Sequence, residues 1–247
     1  MKKIVIIGAT SSIAEHCARV WSRQEDVHFI LVARNIQRLE SIVGDLKVRN
    51  PKVKVDCCSV DFMDATAIQN LADSITKEGM INVLLVAHGV LPDQNEAVEK
   101  IWLIRESIEI NAISPVLFAE AFAGHMISVN SGSIALIGSV AGDRGRKSNY
   151  VYGSAKGLVE RYVQGLRHRF AGMDVDAIII KPGPTNTPMT AHLTLEGQSL
   201  ATVESVAEIV VRGIDQKQPY IYAPRKWAFI MFIIRHLPNW LFNKLDI

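Results

Sequence analysis

Short apolar runs alternate with longer amphipathic segments along most of this chain, and this alternation constrains the fold more than any other feature. Six runs, at residues 3–8, 27–33, 53–60, 81–87, 133–139 and 175–181, are rich in apolar and β-branched residues. Helical periodicity is found near residues 12–23, 36–48, 64–77, 98–124 and 150–171. Because the apolar runs are nearly continuous, they are typical of strands buried on both faces of a parallel sheet. The sequence therefore predicts an α/β fold with a doubly wound parallel sheet.

The bulk composition is compatible with a single domain over residues 1–247. We find no internal repeat or linker, and 49% of the residues are hydrophobic, enough to bury a large core. The 27 basic and 25 acidic residues nearly balance, which gives no reason to expect a nucleic-acid partner. Three cysteines without metal-ligand spacing indicate reduced thiols in the cytoplasm and predict no metal site. No apolar run approaches the roughly 18 residues of a membrane span.

The first candidate site is the turn G-A-T-S-S-I-A at residues 8–14, which joins the first predicted strand to the first predicted helix. In doubly wound sheets, ligands bind beyond the carboxyl ends of the strands, and a helix N-terminus there attracts phosphate. Only the first of the three glycines expected in such a turn is present. The candidate phosphate contacts are Gly8, Thr10, Ser11, Ser12 and Ile13. The alternative is an ordinary tight turn with a Ser/Thr helix cap.

Two further strand ends carry residues suited to a nucleotide. Arg34 follows the second strand, where Asp or Glu would hold an adenosine 2′-hydroxyl and Arg suits a 2′-phosphate. Because no acid is adjacent, Arg34 predicts that NADP(H) is preferred over NAD(H); the alternative is a solvated arginine ahead of a capped helix. Asp61 and Phe62 follow the third strand, and we expect the carboxylate to accept from adenine and the ring to pack beside it. A plain helix cap is the alternative for Asp61.

A proton-delivery device is predicted by Tyr152 and Lys156, which stand four residues apart in Y-G-S-A-K. Positions i and i+4 share a helix face, so the ammonium is expected to lie beside the phenol and to lower its pKa. A tyrosine tuned in this way donates or accepts a proton during turnover. Ser139 ends the fifth strand and is expected to hold a substrate carbonyl against the phenol. The alternative for the Tyr-Lys pair is an exposed helical contact.

Together these residues resemble those of the short-chain dehydrogenase/reductase family over nearly the full chain. The resemblance implies a single-domain Rossmann-type sheet of about seven strands, a nicotinamide cofactor and an Asn-Ser-Tyr-Lys tetrad. That tetrad matches Asn111, Ser139, Tyr152 and Lys156, of which the last two also contact the cofactor. Further cofactor contacts are implied for Ala87, His88, Gly89, Pro182, Gly183, Thr185 and Thr187. The chain departs from the family in its glycine turn and in A-H-G, where N-A-G is preferred; His88 is interpreted as replacing a structural asparagine near the cofactor ribose.

A narrower resemblance is to the decaprenylphosphoryl-2-keto-pentose reductase group. It is carried by S-S-I-A, by G-D-R-G-R-K-S-N-Y-V-Y-G-S-A-K and by the basic, aromatic C-terminus. Arg144, Arg146 and Lys147 lie between Ser139 and Tyr152, and three cations at the mouth of the site suit an anionic substrate. The alternative is a solvated loop or a subunit contact. Residues 184–200 are predicted to form a substrate lid.

The last segment, residues 225–247, is predicted to be an amphipathic helical tail. Its aromatic residues are flanked by Arg225, Lys226, Arg235 and Lys244, a composition that suits an interfacial helix on anionic lipid. Pro238 is expected to break the tail into two short pieces. The alternative is a tail that packs against its own domain or a neighbouring subunit.

The sequence thus predicts an NADPH-dependent oxidoreductase that interconverts a carbonyl and a secondary alcohol, with a lipid-linked keto-sugar phosphate as the narrower expectation. A 3-oxoacyl thioester reductase is the alternative enzyme. A non-catalytic NADP-binding scaffold or sensor is the alternative of another class. We expect a homodimer or homotetramer in the cytoplasm, with peripheral contact at the inner face of the membrane through the tail.

Overall fold

Seven parallel strands form one sheet in the part of the chain that the computed structural model describes, residues 1–191 and 200–245. They are β1 (Lys2–Ile7), β2 (Val27–Ala33), β3 (Lys54–Ser59), β4 (Val83–Val86), β5 (Gly132–Ile137), β6 (Val175–Pro182) and β7 (Tyr220–Ala223). Their order in the sheet is β3-β2-β1-β4-β5-β6-β7. The chain winds outward from β1 and then returns to place β4 beside β1, so the order reverses between these two strands. This is the point at which doubly wound sheets bind ligands, and the predicted fold class is confirmed.

Ten α-helices connect and flank these strands in the described residues. They are α1 (Ser12–Trp21), α2 (Ile36–Arg49), α3 (Ala65–Lys77), α4 (Gln94–Glu99), α5 (Ile101–Ile108), α6 (Ser114–Val129), α7 (Tyr150–Arg169), α8 (Val203–Asp215), α9 (Lys226–His236) and α10 (Asn239–Phe242). The apolar faces of α1, α2 and α8 cover one side of the sheet, and those of α3, α6 and α7 cover the other. The five inner strands are largely buried on both sides, which is why they are almost continuously apolar, whereas the edge strands β3 and β7 are partly exposed.

The predicted helix at residues 98–124 is interrupted, and this is a correction with a functional consequence. The segment contains α4, α5, a π-helical turn at Glu109–Ile113 and then α6. A π-helical turn adds a residue to one helical turn and is frequent at functional sites. The sequence analysis also missed α8 and the short strand β7, because β7 has only four residues and lies at the edge of the sheet.

The run Ile101–Val129 has the length and mean hydropathy of a membrane-crossing helix, the one such run among the described residues. It contains α5, the π-helical turn and α6, and 44% of its most apolar window is buried inside the protein. Core helices of globular domains pass the same test of length and composition. The burial of Phe118, Phe122 and Met126 against the sheet gives α6 a core position of this kind.

Past β7 the chain forms the predicted helical tail. Helix α9 ends at His236 and α10 begins at Asn239, so Pro238 separates the two pieces as predicted. Met231 is fully buried, whereas Phe229, Phe232 and Trp240 are 62–69% exposed. The tail is therefore packed on the protein along one side and keeps an aromatic face in solvent.

Candidate active site

The site begins where β1 and β4 end side by side. Gly8 has a φ of +77°, a backbone conformation that side chains rarely adopt. A Cβ atom at Gly8 would lie 2.7 Å from the backbone nitrogen of His88, so the position also has no room for one. The two strand ends therefore meet backbone to backbone at the point where the strand order reverses. Glycine is required here by both conformation and space.

The rest of the glycine turn leads into the N-terminus of α1. Ser11 is the N-cap residue, and its hydroxyl makes no bond to the helix it caps within the described residues. Ala14 is fully buried, which lets α1 pack closely on the sheet. Thr10, Ser11, Ser12 and Ile13 are each only partly buried. The turn therefore presents hydroxyls and helix N–H groups at the carboxyl edge, the arrangement that receives a phosphate.

Arg34 and Asp61 lie at the next two strand ends of the same edge, and both are exposed. Burial lowers the pKa of His88, and the charges of Lys156 and then Arg34 add to this shift. Asp61 accepts from the backbone nitrogen of Met63 at 2.9 Å, and α3 is capped instead by Asp64. Among the described residues the second carboxylate oxygen of Asp61 accepts no hydrogen bond, so it suits a donor such as an adenine amino group.

Phe62, His88 and Phe118 pack together as a cluster of rings in the core. The Phe62 ring is 5% exposed and packs edge-on against Phe118 and His88, at centroid distances of 5.0 and 4.7 Å. The ring therefore has a core position, and packing beside adenine stays a prediction for Phe62. Its backbone oxygen accepts from the Ser114 hydroxyl at 2.6 Å.

The protonation state of His88 follows from the same bonds. Because the Ser114 hydroxyl donates to Phe62, it must accept from His88 Nε2 at 2.9 Å. His88 Nδ1 is then an acceptor, buried and without a partner in the described residues. Burial, with the charges of Lys156 and Arg34, lowers the pKa of His88 to about 3. His88 is therefore neutral at physiological pH and does not act there as an acid, in agreement with the structural role inferred from A-H-G.

The π-helical turn carries Asn111, which is fully buried. Its Oδ1 accepts from the backbone nitrogen of Val90 at 2.9 Å, and its Nδ2 donates to Ser107 at 3.2 Å. A Cβ atom at Gly89 would lie 2.7 Å from Asn111 Oδ1 and 3.5 Å from Lys156 Nζ. The end of β4, the π-helical turn and the middle of α7 therefore converge on one point.

The short turn that follows Ser139 packs closely against the backbone of α7. Ser139 caps this 3-10 turn at Val140–Gly142, and its hydroxyl accepts from Ala141 N at 3.1 Å. A Cβ atom at Gly142 would lie 2.9 Å from the backbone of Lys156, and one at Gly153 would lie 2.8 Å from the Ala141 oxygen. The two glycines thus let the turn lie directly on the helix that carries Tyr152.

The electrostatics of Tyr152 and Lys156 differ from the prediction. Burial raises the pKa of Tyr152 to about 12, and a hydrogen bond with Ser139 opposes this shift. Burial lowers the pKa of Lys156 to about 8. Lys156 Nζ donates to the Ile137 oxygen at 3.0 Å and lies 5.7 Å from the Tyr152 ring centroid. The expected net lowering of the Tyr152 pKa is therefore not found, because burial of the phenol dominates the shift.

The segment after β6 is ordered by its own threonines. Thr185 is buried and donates to the Gly183 oxygen at 2.8 Å. Thr187 caps the short 3-10 turn Pro188–Thr190, and Thr190 donates back to the Thr185 oxygen at 2.6 Å. These bonds hold Pro182 and Gly183 at the edge beside Ser139. Residues 192–199 of the predicted lid lie outside the described residues.

Sequence reasoning missed a buried charged cluster beneath the tetrad. Lys181 is 1% exposed and pairs with Asp143 and, at 2.7 Å, with Glu160; the Tyr222 hydroxyl donates to Asp143 at 2.9 Å. Glu160 lies one turn beyond Lys156 on α7, so the cluster joins the loop after β5 to α7, β6 and β7. A lysine at the end of the buried run A-I-I-I-K-P was the available signal.

Comparisons with known proteins agree with this geometry. The chain matches the model of the short chain dehydrogenase family over residues 2–197. An uncharacterized oxidoreductase of Mycobacterium tuberculosis is 29% identical over 245 residues, which cover 98% of this chain and 96% of the relative. A short-chain dehydrogenase from Sphingobium yanoikuyae, solved with NADPH, has a TM-score of 0.83 and 20% identity over 97% of both chains. One from Burkholderia cenocepacia, solved with NADP, has a TM-score of 0.83 and 17% identity over 100% of both chains.

Proposed function

Because the chain belongs to the short-chain dehydrogenase/reductase family and is an NAD(P)-dependent oxidoreductase, we propose that it interconverts a carbonyl and a secondary alcohol with NADP(H). The observation that carries this proposal is the convergence of Ser139, Tyr152 and Lys156 at the carboxyl edge of the sheet. A scaffold or sensor without catalysis has no need for a buried tyrosine beside a buried lysine. The non-catalytic alternative is therefore not favoured.

The residues of the tetrad divide the proton chemistry among them. Ser139 donates a hydrogen bond to the substrate oxygen and holds it beside the Tyr152 hydroxyl. Tyr152 donates its proton to that oxygen in reduction and accepts it in oxidation. The Lys156 charge stabilises the phenolate as it forms, and its ammonium is expected to contact the cofactor ribose. Asn111 is the candidate support for a water that returns the proton. A nicotinamide, when bound, supplies or accepts the hydride.

The residues along the switch point fit a dinucleotide. The α1 N-terminus and the hydroxyls of Ser11 and Ser12 suit the pyrophosphate. Asp61 suits the adenine amino group, and exposed Arg34 suits a 2′-phosphate, so NADP(H) is preferred over NAD(H). The two structural neighbours were solved with NADPH and with NADP, which supports NADP(H) binding. The proposed preference over NAD(H) rests on Arg34. Ala87, Gly89, Thr185 and Thr187 line the same edge and complete the proposed contacts.

An anionic substrate is supported by one of the three cations predicted for the mouth. Arg146 Nε is buried and has no hydrogen-bond partner in the described residues. Burial lowers the pKa of Arg146, and only the charge of Asp143 opposes the shift. A desolvated guanidinium with an unmet donor suits a phosphate or phosphodiester. Arg144 does not contribute, because its guanidinium binds the tail.

The proposed substrate class is a lipid-linked keto-sugar phosphate. The narrower sequence resemblance and Arg146 favour it over a 3-oxoacyl thioester, the alternative that a phosphate-bearing acyl carrier or coenzyme would still permit. The deciding experiment follows NADPH oxidation with a polyprenyl-phospho-keto-sugar, a 3-oxoacyl thioester and small ketones. If the thioester is turned over with at least the kcat/KM of the sugar, the thioester becomes the favoured substrate class. If no carbonyl is turned over, the non-catalytic NADP-binding scaffold becomes the favoured function.

Peripheral membrane contact is proposed for the exposed aromatic face of the tail. Phe229, Phe232 and Trp240 are exposed, and the tail carries Arg235 and Lys244, as an interfacial element on anionic lipid does. The protein would then lie at the cytoplasmic face of the membrane, where a lipid-linked substrate is presented. Flotation with anionic liposomes at low salt tests this, with Phe229→Ser/Trp240→Ser expected to stay in the soluble fraction.

A matched control variant accompanies the flotation test. Trp102→Ser removes a residue of similar exposure, 61%, on α5 rather than on the tail, and it should float like the wild type. Equal flotation of the tail variant and the wild type would show that the tail does not bind the membrane.

A homodimer or homotetramer formed through the long helices is supported by a different surface, the exposed apolar side chains of Ile101, Trp102 and Ile113. Sedimentation of the Trp102→Ser protein reports on that assembly.

A further inference from the structure

The C-terminal tail, residues 225–245, contacts two segments of the candidate active site, one after β6 and one after β5. Its first contact is at Gly183, directly after β6. A Cβ atom at Gly183 would lie 2.0 Å from Trp227 Nε1 and 2.4 Å from Trp227 Cδ1, so the indole rests against the Gly183 backbone. Gly183 belongs to the segment proposed to contact nicotinamide. The start of α9 therefore packs directly on this segment.

The second contact is made by Arg144, on the loop between Ser139 and Tyr152. Its Nη1 donates to the backbone oxygens of Ile234 and Leu237, at 2.5 and 2.6 Å. These carbonyls lie at the end of α9, where helical partners are missing and a cation is favoured. Its Nη2 donates to Asn239 Oδ1 at 3.0 Å, and the guanidinium lies 3.8 Å from the Phe242 ring centroid. One arginine thus binds α9, α10 and the bend between them.

The neighbouring residue fixes the other side of this loop. Asp143 is bonded to buried Lys181 and to Tyr222, while Arg144 reaches outward to the tail. Two consecutive residues therefore anchor the loop to the sheet below and to the tail above. Ser139 lies only four residues earlier on the same loop. The loop that carries Ser139 is thereby fixed on both sides.

We propose that the tail is a wall of the catalytic cleft that determines which carbonyl compounds bind, and that Arg144 is the positioning residue that holds this wall. The inference rests on the proposed function, since it concerns the substrate side of the same site. The guanidinium acts through the tail and does not bind the substrate. Bulky carbonyl substrates, which need an ordered wall to be oriented, depend on Arg144 more than small ketones do.

Amide hydrogen exchange of the full chain tests the wall without any substrate. In Arg144→Ala, exchange across residues 226–242 should accelerate about 10–150-fold, the equivalent of ~1.5–3 kcal/mol for hydrogen bonds to a charged group. Exchange in β1 and β4 should stay unchanged. Arg144→Lys keeps the charge, but one ammonium cannot replace the bonds of Nη1 to the two carbonyls together with the bond of Nη2 to Asn239 and the stacking on Phe242. It should therefore behave like Arg144→Ala. Arg146→Ala, two residues away, is the matched control and should leave tail exchange unchanged.

NADPH oxidation with cyclohexanone and with the bulky diketone benzil gives the second readout. Arg144→Ala should raise KM for benzil about tenfold, leave kcat within about twofold, and leave both constants for cyclohexanone nearly unchanged. An unchanged tail exchange in Arg144→Ala, or full restoration by Arg144→Lys, overturns the proposal. Equal KM increases in Arg144→Ala and Arg146→Ala would assign both residues to substrate binding and overturn it as well. If no ketone is turned over, the exchange result still decides whether Arg144 holds the tail, and the failure falls on the proposed function.

Discussion

Ser139 and Arg144 lie five residues apart on one loop, yet the contacts that give them their roles have very different ranges along the chain. Ser139 meets Tyr152, thirteen residues later, on a helix that also carries Lys156. Arg144 meets the oxygens of Ile234 and Leu237, which are 90 and 93 residues away. The comparison shows that a motif identifies a residue when its partners recur at short spacing. It misleads when the partner lies elsewhere in the chain.

The largest expected effect concerns the tetrad. Tyr152→Phe should lower kcat about 10²–10⁴-fold, because the substrate oxygen loses its proton donor. The hydroxyl is the only group removed, so cofactor affinity and the melting temperature should stay near the wild-type values. Steady-state NADPH oxidation, cofactor titration and thermal unfolding measure the three quantities. Near-normal turnover in the folded variant would remove Tyr152 from the mechanism. It would also show that the short-range motif did not identify the catalytic residue.

The buried cluster between the two regions should show the next largest effect. Lys181→Met leaves Asp143 and Glu160 without their cation in the protein interior, which is expected to lower the free energy of unfolding by about 3–5 kcal/mol. Lys2→Met is the matched control, since the Lys2–Asp215 pair is partly exposed and an exposed pair contributes about 1 kcal/mol or less. Chemical denaturation of both variants compares them. Equal losses would show that the cluster is no more than a surface pair.

The sequence was sufficient to predict the elements and residues whose geometry depends on a local pattern. The apolar runs predicted six of the strands, the order of motifs predicted the family, and the i, i+4 spacing predicted the Tyr-Lys helix face. The interruption of the helix at Asn111 was not predictable, because its residues have ordinary helical propensity and the π-helical turn depends on tertiary packing. Burial also reversed one electrostatic expectation, since the pKa of Tyr152 depends on how completely the fold excludes water from it.

Tertiary contacts also determine the surroundings of the aromatic and cationic residues near the site. Phe62 follows a strand, as a base-stacking residue would, but its ring turns inward to Phe118 and His88. Arg144 and Arg146 are equivalent in sequence, two residues apart in G-D-R-G-R-K. Only the folded chain separates them, because the end of α9 offers Arg144 two carbonyl acceptors. The sequence therefore predicted positive charge near the mouth of the site, but it did not show which arginine faces the substrate and which binds the tail.

A third prediction concerns the nucleotide side, where local sequence is expected to be reliable. Arg34→Ala should weaken NADPH binding about 10–150-fold, since a charge-assisted contact to phosphate contributes about 1.5–3 kcal/mol. NADH binding should change little, because that cofactor lacks the 2′-phosphate. Fluorescence titration of both cofactors measures the ratio. An unchanged ratio, or equal affinity in the wild type, contradicts the role of Arg34.

The smallest expected effect is a pH dependence that separates proton transfer from wall contact. The pKa of Lys156 is lowered to about 8, while that of Tyr152 is raised to about 12. As pH rises through about 8, Lys156 loses its charge while Tyr152 keeps its proton. The value of kcat/KM for carbonyl reduction should therefore fall by up to tenfold per pH unit above about 8, as for the loss of one proton from the free enzyme.

Stability should change in the opposite direction over the same range. The unfolded lysine binds its proton up to its ordinary pKa of about 10.4, so between pH 8 and 10 the unfolded state holds more protons at this residue. The free energy of unfolding of wild type relative to Lys156→Met should therefore rise with pH there. Arg144→Ala should keep the wild-type midpoint in kcat/KM, because the guanidinium positions the tail and takes no part in proton transfer. A shifted midpoint in Arg144→Ala would place Arg144 within the electrostatics of the tetrad and end the distinction between the two regions of this loop.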